Sequence, residues 1–112
     1  MSPITSHVLD TSRGKPAAGI AIVLETFTNS EWRVIGRATT NLDGRVTDLL
    51  SEGKCTTGIY RLTFETAAYF RTQGEKCFYP SVAIQFEIEN STEHYHVPLL
   101  LSPYGYSTYR GS

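Results

Sequence analysis

The chain has 112 residues and a mass of 12.5 kDa, the size of one domain, which excludes a two-lobed enzyme with a cleft between its lobes. With 10 Lys and Arg against 11 Asp and Glu the net charge is −1, so no basic excess exists to displace counterions from a nucleic acid or an anionic membrane. Apolar residues make up 40%, no apolar run approaches the roughly 20 residues that cross a bilayer, and the first ten residues lack the basic and apolar segments of a secretory signal, so the chain reads as intracellular.

The 14 Thr, 7 Ile and 6 Val, with 13 aromatic residues, favour pleated surfaces and an all-β chain. Residues 4–9 read as a short strand, ended by the polar, Gly- and Pro-containing stretch 10–16. Ile20, Ile22 and Leu24 alternate with Ala21, Val23 and Glu25, and a second strand over 32–40 follows the polar turn Asn29-Ser30, which predicts a hairpin. Asn41-Leu42-Asp43-Gly44 is a turn by composition, with Arg45 opening the next segment. Residues 58–64 form another strand. Residues 66–73 are the one helical stretch, with Ala67, Ala68 and Phe70 apolar and Gly74 as a stop. The clearest strand is 81–89, where Val82, Ile84, Phe86 and Ile88 alternate with Ala83, Gln85 and Glu87. Strands over 93–101 and 104–109 close the chain, separated by the turn Ser102-Pro103-Tyr104-Gly105.

Seven or eight short strands with one short helix predict a single two-sheet sandwich spanning residues 1–112. Trp32, Tyr60, Phe64, Phe78 and Phe86 are expected to pack its core. Cys55 and Cys77 suit neither a CxxC metal knuckle nor a disulfide scaffold and read as free thiols. No Gly-rich phosphate loop accompanies them, nor a Ser-centred nucleophile elbow.

Chemistry must therefore come from the histidines, His7, His94 and His96. Residues two apart on a strand share a face, so Tyr95, Val97, Leu99 and Leu101 form the core side while His94, His96 and Pro98 point outward; His7 shares a face with Thr5 and Leu9. A final turn centred near Pro103-Tyr104 pairs Leu99 with Thr108 and His96 with Gly111. That register brings Tyr109, Arg110, Gly111 and Ser112 beside the His96 imidazole, with a phenol, a guanidinium, a hydroxyl and a terminal carboxylate. Three bland readings compete: His94 as a solvated side chain, Arg45 as a turn residue, and His7, His94 and His96 as a zinc triad.

The segment His96-Val97-Pro98-Leu99-Leu100-Leu101-Ser102-Pro103, the closing Tyr109-Arg110-Gly111-Ser112, Ser6-His7-Val8-Leu9-Asp10, and Thr40-Asn41-Leu42-Asp43-Gly44-Arg45 together resemble the 5-hydroxyisourate hydrolase family of transthyretin-like proteins. Transthyretin proper lacks the closing Tyr-Arg-Gly-Ser and has no histidine at the position of His7. The resemblance implies a transthyretin-like (prealbumin-like) sandwich over essentially the whole chain. It implies hydrolytic opening of 5-hydroxyisourate to 2-oxo-4-hydroxy-4-carboxy-5-ureidoimidazoline in urate degradation. It further implies a catalytic group of His7, Arg45, His96 and Ser112, a pocket shaped by Tyr109, Arg110 and Gly111, no metal or other cofactor, and a homotetramer whose two dimers meet through their outward sheets around a central channel. His7 or His96 would act as general base while the other donates, and Arg45 would hold the substrate and its oxyanion. The rival from another class is a non-catalytic carrier of a small ligand, which would call for an apolar channel. The expected compartment is cytosol or peroxisome.

Overall fold

The structure, a computed structural model, describes residues 2–112. Among them nine strands and one helix run in the order β1 (Ile4–Asp10), β2 (Lys15–Pro16), β3 (Ala21–Thr28), β4 (Glu31–Thr39), β5 (Arg45–Val46), β6 (Gly58–Phe64), α1 (Thr66–Thr72), β7 (Val82–Ile88), β8 (Tyr95–Ser102) and β9 (Gly105–Thr108). One sheet is ordered β2-β1-β8-β9, with β5 also paired to β1; the other is β4-β3-β6-β7. This is the all-β sandwich expected. The two strands not read from the sequence are β2 and β5, pairings of two residues each that leave no alternation to read.

Period-two burial builds the core between the sheets. Ile22 and Leu24 of β3, Tyr60, Leu62 and Phe64 of β6, and Val82, Ile84 and Ile88 of β7 face Ile4 and Val8 of β1 and Tyr95, Val97, Leu99 and Leu101 of β8. Each such side chain, fully buried, contributes about 1.5–3 kcal/mol relative to exposure. Phe86, the remaining member of the β7 row, is half-buried and stacks on Tyr60 with centroids 5.9 Å apart. The β3–β4 hairpin turns through Asn29 and Ser30, both at positive φ (50° and 64°), the backbone that matches strand twist in a two-residue loop.

Two expectations fail here for physical reasons. The helix buries Thr66, Tyr69 and Phe70, and Tyr69 donates its hydroxyl to Asp10 Oδ2 at 2.7 Å. Asp10, assigned from sequence to a polar stretch, is wholly buried at the end of β1, where Ser12 N, Ser12 Oγ and Arg13 N also donate to Oδ1. Burial works against its charge, but these hydrogen bonds outweigh it and hold the carboxyl below its ordinary value. Phe78 is 69% exposed and not in the core. Its backbone N–H donates to Pro103 O at 2.8 Å, tying the loop before β7 to the last hairpin with the ring left on the surface against Tyr79. Cys55 and Cys77 are free thiols, and burial raises the Cys55 pKa. No helix among the described residues is long and apolar enough to cross a membrane.

Candidate functional site

Three strands from distant parts of the chain position the candidate residues. β1 runs parallel to β8 with Thr5 opposite His96 and His7 opposite Pro98, and β5 runs antiparallel to β1 with Arg45 opposite His7. Side-chain alternation therefore puts Thr5 and His7 on the outward face that His96 shares.

The turn before β5 is built to set Arg45 there. Asn41 Oδ1 accepts from the N–H of Asp43 at 2.9 Å and of Arg45 at 3.0 Å, closing a side-chain turn. Gly44 adopts φ +72° and accepts at its carbonyl from Val8 N at 2.8 Å. A Cβ at Gly44 would stand 2.5 Å from Val8 O, so any other residue would push β5 off β1. Asp43 and Gly44 thus serve the turn, as expected. Arg45 is more than a turn residue, because that turn delivers it to the strand face.

At the other end, β9 pairs with β8 in the expected register, Leu99 with Thr108, and a single bridge pairs His96 with Gly111. The ladder lapses in between. Pro98 has no N–H to donate, and its carbonyl is taken by Thr108 Oγ1 at 2.7 Å, so β9 ends at Thr108 rather than at residue 109. Gly111 N then donates to His96 O at 2.8 Å. Gly111 lies flat on the imidazole: a Cβ there would be 2.5 Å from His96 Cδ2 and 3.3 Å from Pro98 Cγ.

Arg45, His96 and Ser112 line one open cavity of about 300 Å³ together with Thr5, Ser6, Thr47 and His94. His7 does not line it in the single chain, but its charge is felt at His96. Burial first, then the charges of Arg45, His94 and His7, lower the His96 pKa below the ordinary imidazole value, leaving a neutral ring at neutral pH. Arg45 has neither an ion pair nor a side-chain hydrogen bond among the described residues, so its guanidinium is available to a ligand. Tyr109 and Arg110 turn the other way. They line a separate cleft of about 440 Å³ with Glu87, Glu89 and Glu93, where Arg110 sits 4.4 Å from the Tyr95 ring centroid and 3.4 Å from Glu93 Oε1. Of the seven candidate residues, the single chain therefore gathers Arg45, His96, Gly111 and Ser112 at one place, sets His7 beside them, and sends Tyr109 and Arg110 elsewhere.

Thr5 was not singled out from sequence. Its hydroxyl lies within hydrogen-bond distance of both His94 and His96, and the available signal was its place two residues before His7. Among the described residues no group of three or more His, Cys, Asp or Glu is placed to hold a metal ion, so the three histidines do not converge as a zinc triad.

A neutral imidazole, an unpaired guanidinium and a serine share the outward face of a two-sheet sandwich, a set that can take up a proton and bind an anion. Residues 4–111 match the model of the HIUase/Transthyretin family. A 5-hydroxyisourate hydrolase of Mus musculus is 44% identical over 113 residues, covering 99% of this chain and 96% of that protein. The structure of Klebsiella pneumoniae 5-hydroxyisourate hydrolase superposes with a TM-score of 0.83 at 36% identity, covering 97% of this chain and 98% of that one. Sea bream transthyretin in complex with thyroxine superposes with a TM-score of 0.93 at 31% identity, over 97% and 94% of the two chains. The chain belongs to the HIUase/transthyretin family and is an enzyme of the hydrolase class.

Proposed function

We propose that this chain, as a single domain over residues 1–112, opens the six-membered ring of 5-hydroxyisourate to give 2-oxo-4-hydroxy-4-carboxy-5-ureidoimidazoline, a step of urate degradation in the cytosol or peroxisome. The observation that carries the reading is the cavity in which Arg45, His96 and Ser112 meet. Hydrolysis of an amide-like carbonyl needs a base for water, a cation for the developing oxyanion and a donor for the leaving nitrogen. A neutral His96 supplies a base, and a positioned base contributes about 10² to 10⁴ in rate. His7 is the other imidazole of the pair; one of the two takes the proton from water and the other donates. Arg45, planar and permanently charged, holds the carbonyl and nitrogen edge of the substrate. Ser112 binds substrate or fixes a histidine, with Tyr109, Arg110 and Gly111 shaping the pocket. Nothing in this mechanism requires a metal or another cofactor.

The site is completed in a homotetramer, a dimer of dimers joined through the outward sheets. Two features support that assembly: β7 and β9 are unpaired edges of their sheets, and the face bearing His96 is open to solvent. An open strand edge is a template for a second chain.

The deciding experiment follows the ultraviolet decay of freshly prepared 5-hydroxyisourate with and without the protein. Acceleration in proportion to protein concentration is the expected result. No acceleration, together with saturable binding of a small aromatic ligand, would instead favour a carrier.

A further inference from the structure

Thr5 is 3% exposed, and its hydroxyl stands between two imidazoles. Its Oγ1 is 2.9 Å from His94 Nε2 and 2.8 Å from His96 Nδ1, and the two rings lie near parallel with centroids 6.4 Å apart. The arrangement follows from the parallel register of β1 on β8, which sets Thr5 opposite His96. A hydroxyl has one proton, so if it donates to one ring nitrogen it accepts from the other.

Two proton arrangements are open. In the first, Thr5 donates to His94 Nε2 and accepts from His96 Nδ1–H, which leaves the His96 lone pair on Nε2. In the second, His94 Nε2–H donates to Thr5, Thr5 donates to His96 Nδ1, and His96 Nε2 carries the hydrogen. His96 Nε2 has no protein hydrogen-bond partner among the described residues, so its state is what a bound water or substrate meets. The cationic Arg45 in the same cavity favours a lone pair on that open side over an N–H. A charged His94 has hydrogens on both nitrogens and cannot accept, which removes the first arrangement.

We propose that Thr5 and His94 are positioning residues that select the tautomer of His96: with His94 uncharged, His96 offers Nε2 as the base, and charging His94 reverses the Thr5 hydroxyl and turns Nε2 into a donor. This rests on the hydrolase reading of the same cavity and resolves its open choice in favour of His96 as base. The charged groups around the pair include His7 from β1, Arg45 from β5 and, at Ser112, the terminal carboxylate. On the far side of His94 are Glu52 and Cys55 from the segment before β6, and Glu93, which is paired with Arg110. Only Thr5 joins the two rings.

The test pairs nitrogen NMR of ¹⁵N-histidine-labelled protein with steady-state kinetics. In the wild type with His94 uncharged, His96 should show a pyridine-type Nε2 and a pyrrole-type Nδ1, and that pattern should invert once His94 carries a charge. Thr5→Val should lose the defined pattern and lower kcat at least about tenfold with KM within about twofold, and Thr5→Ser should restore both. His94→Phe, which leaves the Thr5 proton no acceptor but His96 Nδ1, should lower kcat about tenfold by fixing hydrogen on Nε2. A wild-type His96 pattern that is the same with His94 charged and uncharged, or a Thr5→Val protein with unchanged kcat and ring pattern, would overturn the inference while leaving the hydrolase reading intact. Coupled rings in a protein that does not hydrolyse 5-hydroxyisourate would sink the hydrolase reading and leave the tautomer selection standing.

Discussion

The two sheets of the sandwich present outward faces of opposite character. On the sheet containing β3 and β6, Arg61 Nε meets Glu25 Oε1 at 2.9 Å, and its guanidinium lies 4.1 Å from the Trp32 ring centroid. That cation is saturated by its own chain. On the sheet containing β1 and β8, Arg45 has no such partner among the described residues and shares a cavity with a neutral imidazole. The difference teaches how to separate a charge that the fold itself uses from one that it leaves open to a ligand. Both arginines sit on strands, but one closes an interaction within the fold, whereas the other is held by a glycine turn and left for something else to meet.

Four experiments can break or sharpen this contrast. Removing residues 109–112 should abolish hydrolysis while leaving the far-ultraviolet circular dichroism unchanged, because β9 ends at Thr108 and the core lies elsewhere; a truncated protein that still turns over substrate refutes the placement of the tail at the site. His96→Ala and His7→Ala should each lower kcat by at least about 10²-fold, whereas Arg61→Ala should stay within about twofold of the wild type. Equal losses from both faces would erase the distinction. Gly111→Ala should cost about tenfold in kcat, since the new methyl group occupies the space of His96 Cδ2 and tilts the ring; crystallography of the variant would show whether the imidazole has moved.

The smallest effect is on stability. The folded state holds His96 below the ordinary imidazole pKa, so the unfolded chain binds more protons in the window between the two values, and stability must fall as the pH drops through it. Above the ordinary value this group contributes no slope. His96→Gln should flatten that part of the curve of unfolding midpoint against pH, and an identical slope in the variant would show that the imidazole is not held neutral by the fold.

Much of this was readable in the chain, and the exceptions share a cause. Alternation located β6 and β7 and turned His96 outward, because one buried face imposes a period of two. The Pro-Gly turn gave the register that sets Gly111 on His96. What escaped were contacts across long sequence separations. Asp10 looks like a loop residue until Tyr69, 59 residues away, donates to it. Thr5 looks like an ordinary strand residue until it meets His96, 91 positions on. Tyr109 and Arg110 leave the expected pocket side in the single chain: the register that sets Gly111 on His96 places Arg110 opposite Val97, toward the core side, where it lies against Tyr95 and Glu93.

The parallel union of the first strand with the eighth also has a temporal consequence. Such a pairing closes a loop of nearly the whole chain, the kind of contact that slows folding. A ribosome extending the polypeptide at about 5–20 residues per second delivers His96 only after 91 residues beyond Thr5 have been made. Until then the first strand lacks its partner, so the Thr5–His96 contact is among the last that folding can make.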